Sequence, residues 1–199
     1  MPFSGYEIPR GLSSPGLIVL DLMRLFCDPS SPAYISFYPR IEGRLFQLVD
    51  RALAAGRPVL FMRHAHEEGD DGGMIGRMHG RLQKAGDPLN ALVGGAKQRI
   101  PPAYEIIKSR HSAFASAPSA GRLQGCDSVL IAGVQTHACV LATALDASRL
   151  GLVPVVVADA CVSRDERLHR ATLEVLAAEH AYVIDTDAAL SAFLDRGAA

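Results

Sequence analysis

Six short apolar runs, four of them followed by an amphipathic stretch, constrain the fold of this chain more than any other feature. They lie at 16–22, 58–62, 104–107, 127–132, 152–158 and 181–184, the third being the weakest. Strands that read as continuous apolar runs are buried on both faces, and that occurs when a parallel sheet is covered on both sides. Helical spacing of apolar residues fills the intervals at 41–55, 138–150, 164–180 and 186–194. The pattern predicts an α/β fold: a three-layer, Rossmann-like sandwich with a six-stranded, mostly parallel sheet and helices on both faces. A chain of 199 residues suits one such domain over 1–199. Sheets of this type place their sites outside the carboxyl ends of the strands.

One segment breaks the alternation. From 64 to 95, Gly, Asp, His and Met dominate and no period survives. A long irregular excursion in a compact domain is usually functional. It starts at the end of the second strand, so it is read as a site wall or an oligomer contact.

Composition excludes several function classes. Twenty Lys and Arg against 21 Asp and Glu leave a net charge of −1, with no basic surplus for nucleic acid or an anionic membrane. No apolar run is long enough to span a bilayer, and the N-terminus lacks the cationic start of a signal peptide. Cys27, Cys126, Cys139 and Cys161 show no C-x-x-C spacing, so they are read as reduced thiols of a cytoplasmic protein. The partner this leaves is a small-molecule substrate.

The chemistry concentrates at three strand ends. The run 127–132 stops at Gly133, which permits a sharp turn. Thr136 is the expected N-cap of the next helix, which puts Cys139 in its first turn. Helix N-termini stabilise thiolates and offer free N–H groups to an oxyanion. A cysteine there is placed to be a nucleophile, although most free cysteines are simply small buried apolar residues. Asp21 ends the first strand and Lys108 follows the third. An acid, a cation and a thiol therefore fall at one end of the sheet, where the cation can lower the thiol pKa and the carboxylate can take its proton. Asp159 also falls at this edge and is expected to be a helix cap or loop anchor.

Four ordered blocks carry a resemblance. They are the strand ending in Asp21 with Phe26 beyond it; Lys108 with Ser112-Ala113-Phe114; Gly133-Val134-Gln135-Thr136-His137-Ala138-Cys139-Val140 with Thr143 to Ala147; and Val155 to Cys161 with Glu166, His169, Thr172 and Leu173. From about Gly16 to Leu190 the chain resembles the isochorismatase-like cysteine hydrolases, which include nicotinamidases and N-carbamoylsarcosine amidohydrolases. The resemblance implies a triad of Asp21, Lys108 and Cys139, a cis peptide at Val134–Gln135, and an oxyanion hole from the N–H groups of Gln135 and Cys139. It implies hydrolysis of an amide through a thioester, and a homodimer or homotetramer.

Departures limit what carries over. Many relatives have Gln where this chain has Met23. Nicotinamidases carry an Asp-x-His metal motif where this chain has His64-Ala65-His66, and His79 does not match their spacing. No metal and no cofactor is therefore expected. Metal-free relatives often have two aromatics at the positions of Met78 and His79, and this chain has no tryptophan. Phe26, His64, Met78, His79 and Phe114 are the candidates for the pocket wall. His111 and His137 flank triad members; the alternative for each is a solvent-facing position. The other readings are a vinyl-ether hydrolase, which needs no cysteine, and a catalytically retired binding module.

Overall fold

The computed structural model describes residues 7–79 and 83–194. Six strands form one sheet: β1 (Pro15–Leu20), β2 (Val59–His64), β3 (Glu105–Lys108), β4 (Ser128–Val134), β5 (Val153–Val162) and β6 (Tyr182–Ile184). Their order is β3-β2-β1-β4-β5-β6, and every pairing is parallel. The mostly parallel sheet expected from the apolar runs is therefore wholly parallel. Eight α-helices accompany it: α1 (Arg24–Cys27), α2 (Glu42–Ala54), α3 (Met74–His79), α4 (Gly94–Arg99), α5 (Ala117–Arg122), α6 (Leu141–Arg149), α7 (Glu166–Glu179) and α8 (Thr186–Ala189).

Alternation along β1 builds two cores. Leu17 and Val19 point to one face, where Leu45, Leu48 and Val49 of α2 and Ala189 of α8 cover them. Ile18 and Leu20 point to the other, under Ala144 and Ala147 of α6 and Leu173 and Leu176 of α7. Both faces of β1 are dry, which is why its sequence shows no polar alternation.

The last two α-helices start at side-chain acceptors. Asp165 accepts from the N–H groups of Arg167 and Leu168 at 2.8 and 3.1 Å and opens α7. Asp185 caps α8 by accepting from Ala188 N at 2.8 Å. Thr186 N and Oγ1 instead donate to Asp159 Oδ1, both at 2.7 Å, so Asp159 anchors a loop.

Strand order reverses direction at β1, between β2 and β4. Ligands of open α/β sheets bind at such a switch point. The close fit there depends on Gly133, whose φ is +114°. A Cβ at this position would sit 2.3 Å from the carbonyl oxygen of Leu20, in the neighbouring strand. Gly133→Ala is expected to cost at least about 2 kcal/mol, because main chain rather than a flexible side chain must give way. A urea midpoint equal to that of the wild type would show that the two strands can part without loss.

Candidate active site

The sheet register places the functional groups side by side. Leu20 pairs with Met62 on one side and Gly133 on the other, and His64 pairs with Lys108. The strands β3, β2, β1 and β4 therefore end along one edge. Lys108 and His64 close their strands, Asp21 follows β1, and Cys139 follows β4 after a short turn. Asp21 has φ of +56°, a left-handed conformation that Asp tolerates at a cost of about 1–2 kcal/mol.

The turn after β4 holds the cis peptide that the resemblance implies, but not the helix start expected at Thr136. The Val134–Gln135 peptide is cis. Residues Thr136–Val140 then form a single π-helical turn before α6 begins. Such turns recur at functional sites. Thr136 is not the N-cap: Gln135 occupies that position, and no side chain caps the turn. The Thr136 hydroxyl instead lies 2.8 Å from Nδ1 of His169 on α7.

Lys108 is the hub. Its Nζ lies 2.9 Å from Asp21 Oδ2, and both side chains are fully buried. It also donates to Cys139 Sγ, and reaches His64 Nδ1 and the carbonyl of Arg110, each at 3.3 Å. Burial alone would favour the neutral amine, but Asp21 and Cys139 beside it hold the ammonium above its ordinary value. Burial pushes the Cys139 thiol up to about 12; Lys108 opposes this and Asp21 adds to it. At rest Cys139 is thus a thiol and Lys108 an ammonium. No donor among the described residues makes a well-aligned hydrogen bond to either Asp21 oxygen, so the carboxylate keeps lone pairs to receive a thiol proton. His111 Nδ1 stands 3.7 Å from Sγ.

His64 is held neutral. Burial, then the Lys108 charge, depress its pKa from 6.5 to about 2. Between those values the unfolded chain binds the proton and the native site does not, so stability is full above pH 6.5 and falls as the pH drops toward 2. The slope for one proton is about 1.4 kcal/mol per pH unit. His64→Gln is expected to flatten the stability–pH curve between pH 6 and 4. Parallel curves for the two proteins, measured by urea unfolding, would contradict this.

A cavity of about 650 Å³ opens on Asp21 and Cys139. Its floor carries Asp21, Cys139 and Gln135, and its walls include Phe26, His64, His66, His111, His137 and Arg164, with apolar Leu25, Leu89 and Leu168. Of the expected wall residues, Phe26 and His64 line it. Met78 does not: it is 73% exposed, on the outward face of α3, while Ile75 of the same helix faces the cavity. Phe114 does not either, because it packs against the core under α6 and α7. His79 closes α3, and its side chain lies outside the described residues. Ile75, Gln83, Arg164 and Leu168 were not foreseen. Only Arg164, a cation just before the N-cap of α7, left a readable signal.

His64 and His66 face each other Nε2 to Nε2 at 2.9 Å, and among the described residues no group of three or more His, Cys, Asp or Glu could hold an ion.

Known proteins share this arrangement of strands. Nicotinamidase 3 of Arabidopsis thaliana is 29% identical over 175 residues, covering 86% of this chain and 84% of that protein. Maleamate amidohydrolase of Pseudomonas putida is 29% identical over 167 residues, 80% of this chain and 77% of that protein. The solved pyrazinamidase/nicotinamidase of Streptococcus mutans superposes with a TM-score of 0.76 at 26% identity, covering 86% of this chain and all of that one. The isochorismatase domain family matches residues 15–188, a span that holds the whole sheet and each group around Lys108. With sequence and fold in agreement over that span, the chain belongs to the isochorismatase family of hydrolases.

Proposed function

We propose that the chain cleaves an amide-type C–N bond of a small molecule through a thioester on Cys139. One observation carries this reading: Cys139 Sγ lies 3.3 Å from the ammonium of Lys108, which is itself paired with Asp21. A vinyl-ether hydrolysis needs no thiol, whereas acyl transfer needs a nucleophile with a base and a cation beside it.

The steps follow from the geometry. Asp21 takes the thiol proton as Sγ attacks the carbonyl carbon, and Lys108 stabilises the sulfur as charge develops on it. The oxyanion is received by the main-chain N–H groups of Gln135 and Cys139. Collapse breaks the C–N bond, and Asp21 delivers its proton to the departing nitrogen. The leaving group is ammonia or a small amine. Water then attacks the thioester with Asp21 as base. The carboxylic acid leaves, and the proton returns to sulfur.

Two relatives are named for amide substrates, nicotinamidase and maleamate amidohydrolase. The cavity volume suits a substrate of that size, with a flat or apolar body against Phe26 and Leu168. Ammonia release from a panel of small amides, ureides and carbamoyl amino acids tests the proposal, with wild type beside Cys139→Ala. Turnover that needs Cys139 supports it. Turnover that survives in Cys139→Ala, or release of pyruvate from a vinyl ether with no amide turned over, overturns it.

A further inference from the structure

The triad leaves a buried feature unused. Beyond Lys108, hydrogen bonds run through two histidines to an ion pair at the surface. Lys108 Nζ lies 3.3 Å from His64 Nδ1, His64 Nε2 lies 2.9 Å from His66 Nε2, and His66 Nδ1 lies 2.9 Å from Asp70 Oδ2. Asp70 in turn accepts from Arg110 Nη1 at 3.1 and 3.2 Å and from Gly72 N at 2.9 Å. The path closes on itself, because the carbonyl of Arg110 accepts from Lys108.

Only one set of proton positions satisfies every link. An ammonium has no acceptor, so His64 Nδ1 accepts and its proton sits on Nε2. His66 Nε2 then accepts, and its proton sits on Nδ1, where the Asp70 carboxylate receives it. Two imidazoles, oriented head to tail, connect a buried cation to a surface anion. Arg110, then His66, hold the Asp70 carboxyl well below the usual carboxylate range, which keeps the outer end ionised. Main chain braces the same region: Ala65 N donates to the Lys108 carbonyl at 3.0 Å, and His66 pairs through its N and O with Gln83 and Ala85 at 2.7 and 3.1 Å.

We infer that His64 and His66, anchored by Asp70 and Arg110, are positioning residues that fix the Lys108 ammonium against Cys139. The inference rests on Cys139 being the nucleophile. An ammonium rotates freely about its last bond, and the lysine side chain is long. Its three hydrogen bonds run to Sγ, to His64 Nδ1 and to the carbonyl of Arg110, while Asp21 pairs with its charge. With His64 and the Arg110 carbonyl holding two of the directions, the remaining N–H stays aimed at the sulfur and the ammonium stays against the carboxylate. The excursion after β2 thereby supports the site from behind as well as walling it.

Thiol reactivity tests this without knowledge of the substrate. The groups facing Sγ are Asp21 from β1, Lys108 from β3, His111 from the loop beyond it, and His64 through Lys108. The rate of Cys139 alkylation by iodoacetamide is measured from pH 6 to 10 in wild type, His66→Leu, His66→Gln and Asp70→Ala. His66→Leu breaks the relay and is expected to slow labelling at pH 7.5 about tenfold, the effect of one lost hydrogen bond to a charged group. It is also expected to move the alkaline rise in rate to higher pH, since Lys108 is the cation that opposes the high thiol pKa. His66→Gln can still accept at one atom and donate at another, so it is expected to recover most of the rate. Asp70→Ala, an outer change, is expected to act in the same direction as His66→Leu and carries the test should His66→Leu not fold. A wild-type profile in folded His66→Leu or Asp70→Ala overturns the positioning role while leaving the nucleophile intact. Equal slowing in His66→Leu and His66→Gln overturns it as well, because loss of shape rather than of the relay would then be the cause. A wild-type thiol that labels only in denaturant overturns the nucleophile reading, and this inference with it.

Discussion

Cys139→Ala is expected to lower kcat/KM for the best amide of a panel by at least about 10,000-fold while leaving the fold intact. The magnitude follows from the unit character of a nucleophile and its base: removing the nucleophile of a serine hydrolase costs about a million-fold in kcat. Here Asp21 and Lys108 would remain, paired with each other, but with no atom to form the thioester. The stability change is expected to be small. The side chain loses only one sulfur, and Cys139, though part of the buried core under α6 and α7, also borders the cavity. Substrate binding is expected to survive, because the wall residues are untouched. A KM or Kd near the wild-type value, with kcat gone, is the signature. Residual turnover above about 1% of wild type would mean that water attacks the carbonyl directly and that the thiol is a bystander.

Lys108→Met is expected to lose activity and stability together. Asp21 and Lys108 are both fully buried, and their contact is 2.9 Å. Removing one member of such a pair leaves a charge in a dry site, a change that costs about 3–5 kcal/mol. Methionine fills most of the space, so the loss reports charge rather than packing. The double variant Lys108→Met/Asp21→Asn separates the two effects. With both charges gone, most of the stability is expected to return, because a buried pair replaced by neutral groups of similar size is often no less stable. Turnover stays absent in both proteins. Urea unfolding gives the coupling between the two positions. A double variant no more stable than Lys108→Met would show that packing around the lysine stem, not the ion pair, holds this edge together.

Much of this arrangement was legible in the sequence because it is written in periodicity. The six strands and the long helices α2 and α7 announce themselves by apolar runs and helical spacing. Asp21, Lys108 and Cys139 were legible because each stands just beyond such a run, and a parallel sheet brings such positions to one edge. What escaped depends on directions within short elements. Met78 and Ile75 lie three residues apart on α3, yet one faces water and the other the cavity, and a single turn of helix has too few apolar residues to reveal which. Phe114 sits in a 3₁₀ turn whose rotation sends it to the core. Thr136 has the composition of a cap, but the π turn carries its hydroxyl across to His169. His66 and Asp70 stand four apart, a spacing that suits a pair, and nothing local indicated that the pair would back onto Lys108.

The sheet edge that assembles the triad also dictates when it exists. Lys108 meets His64 from 44 residues away and Cys139 from 31, so no short contiguous fragment contains the site. Each contact requires a parallel pairing across a long crossover, and contacts of that kind form late and slowly. A refolding chain can therefore regain helix and a collapsed core while its thiol still lacks both acid and cation. For this chain, chemical competence is a reporter of correct register across β3, β2, β1 and β4, more demanding than any measure of compactness or helix content.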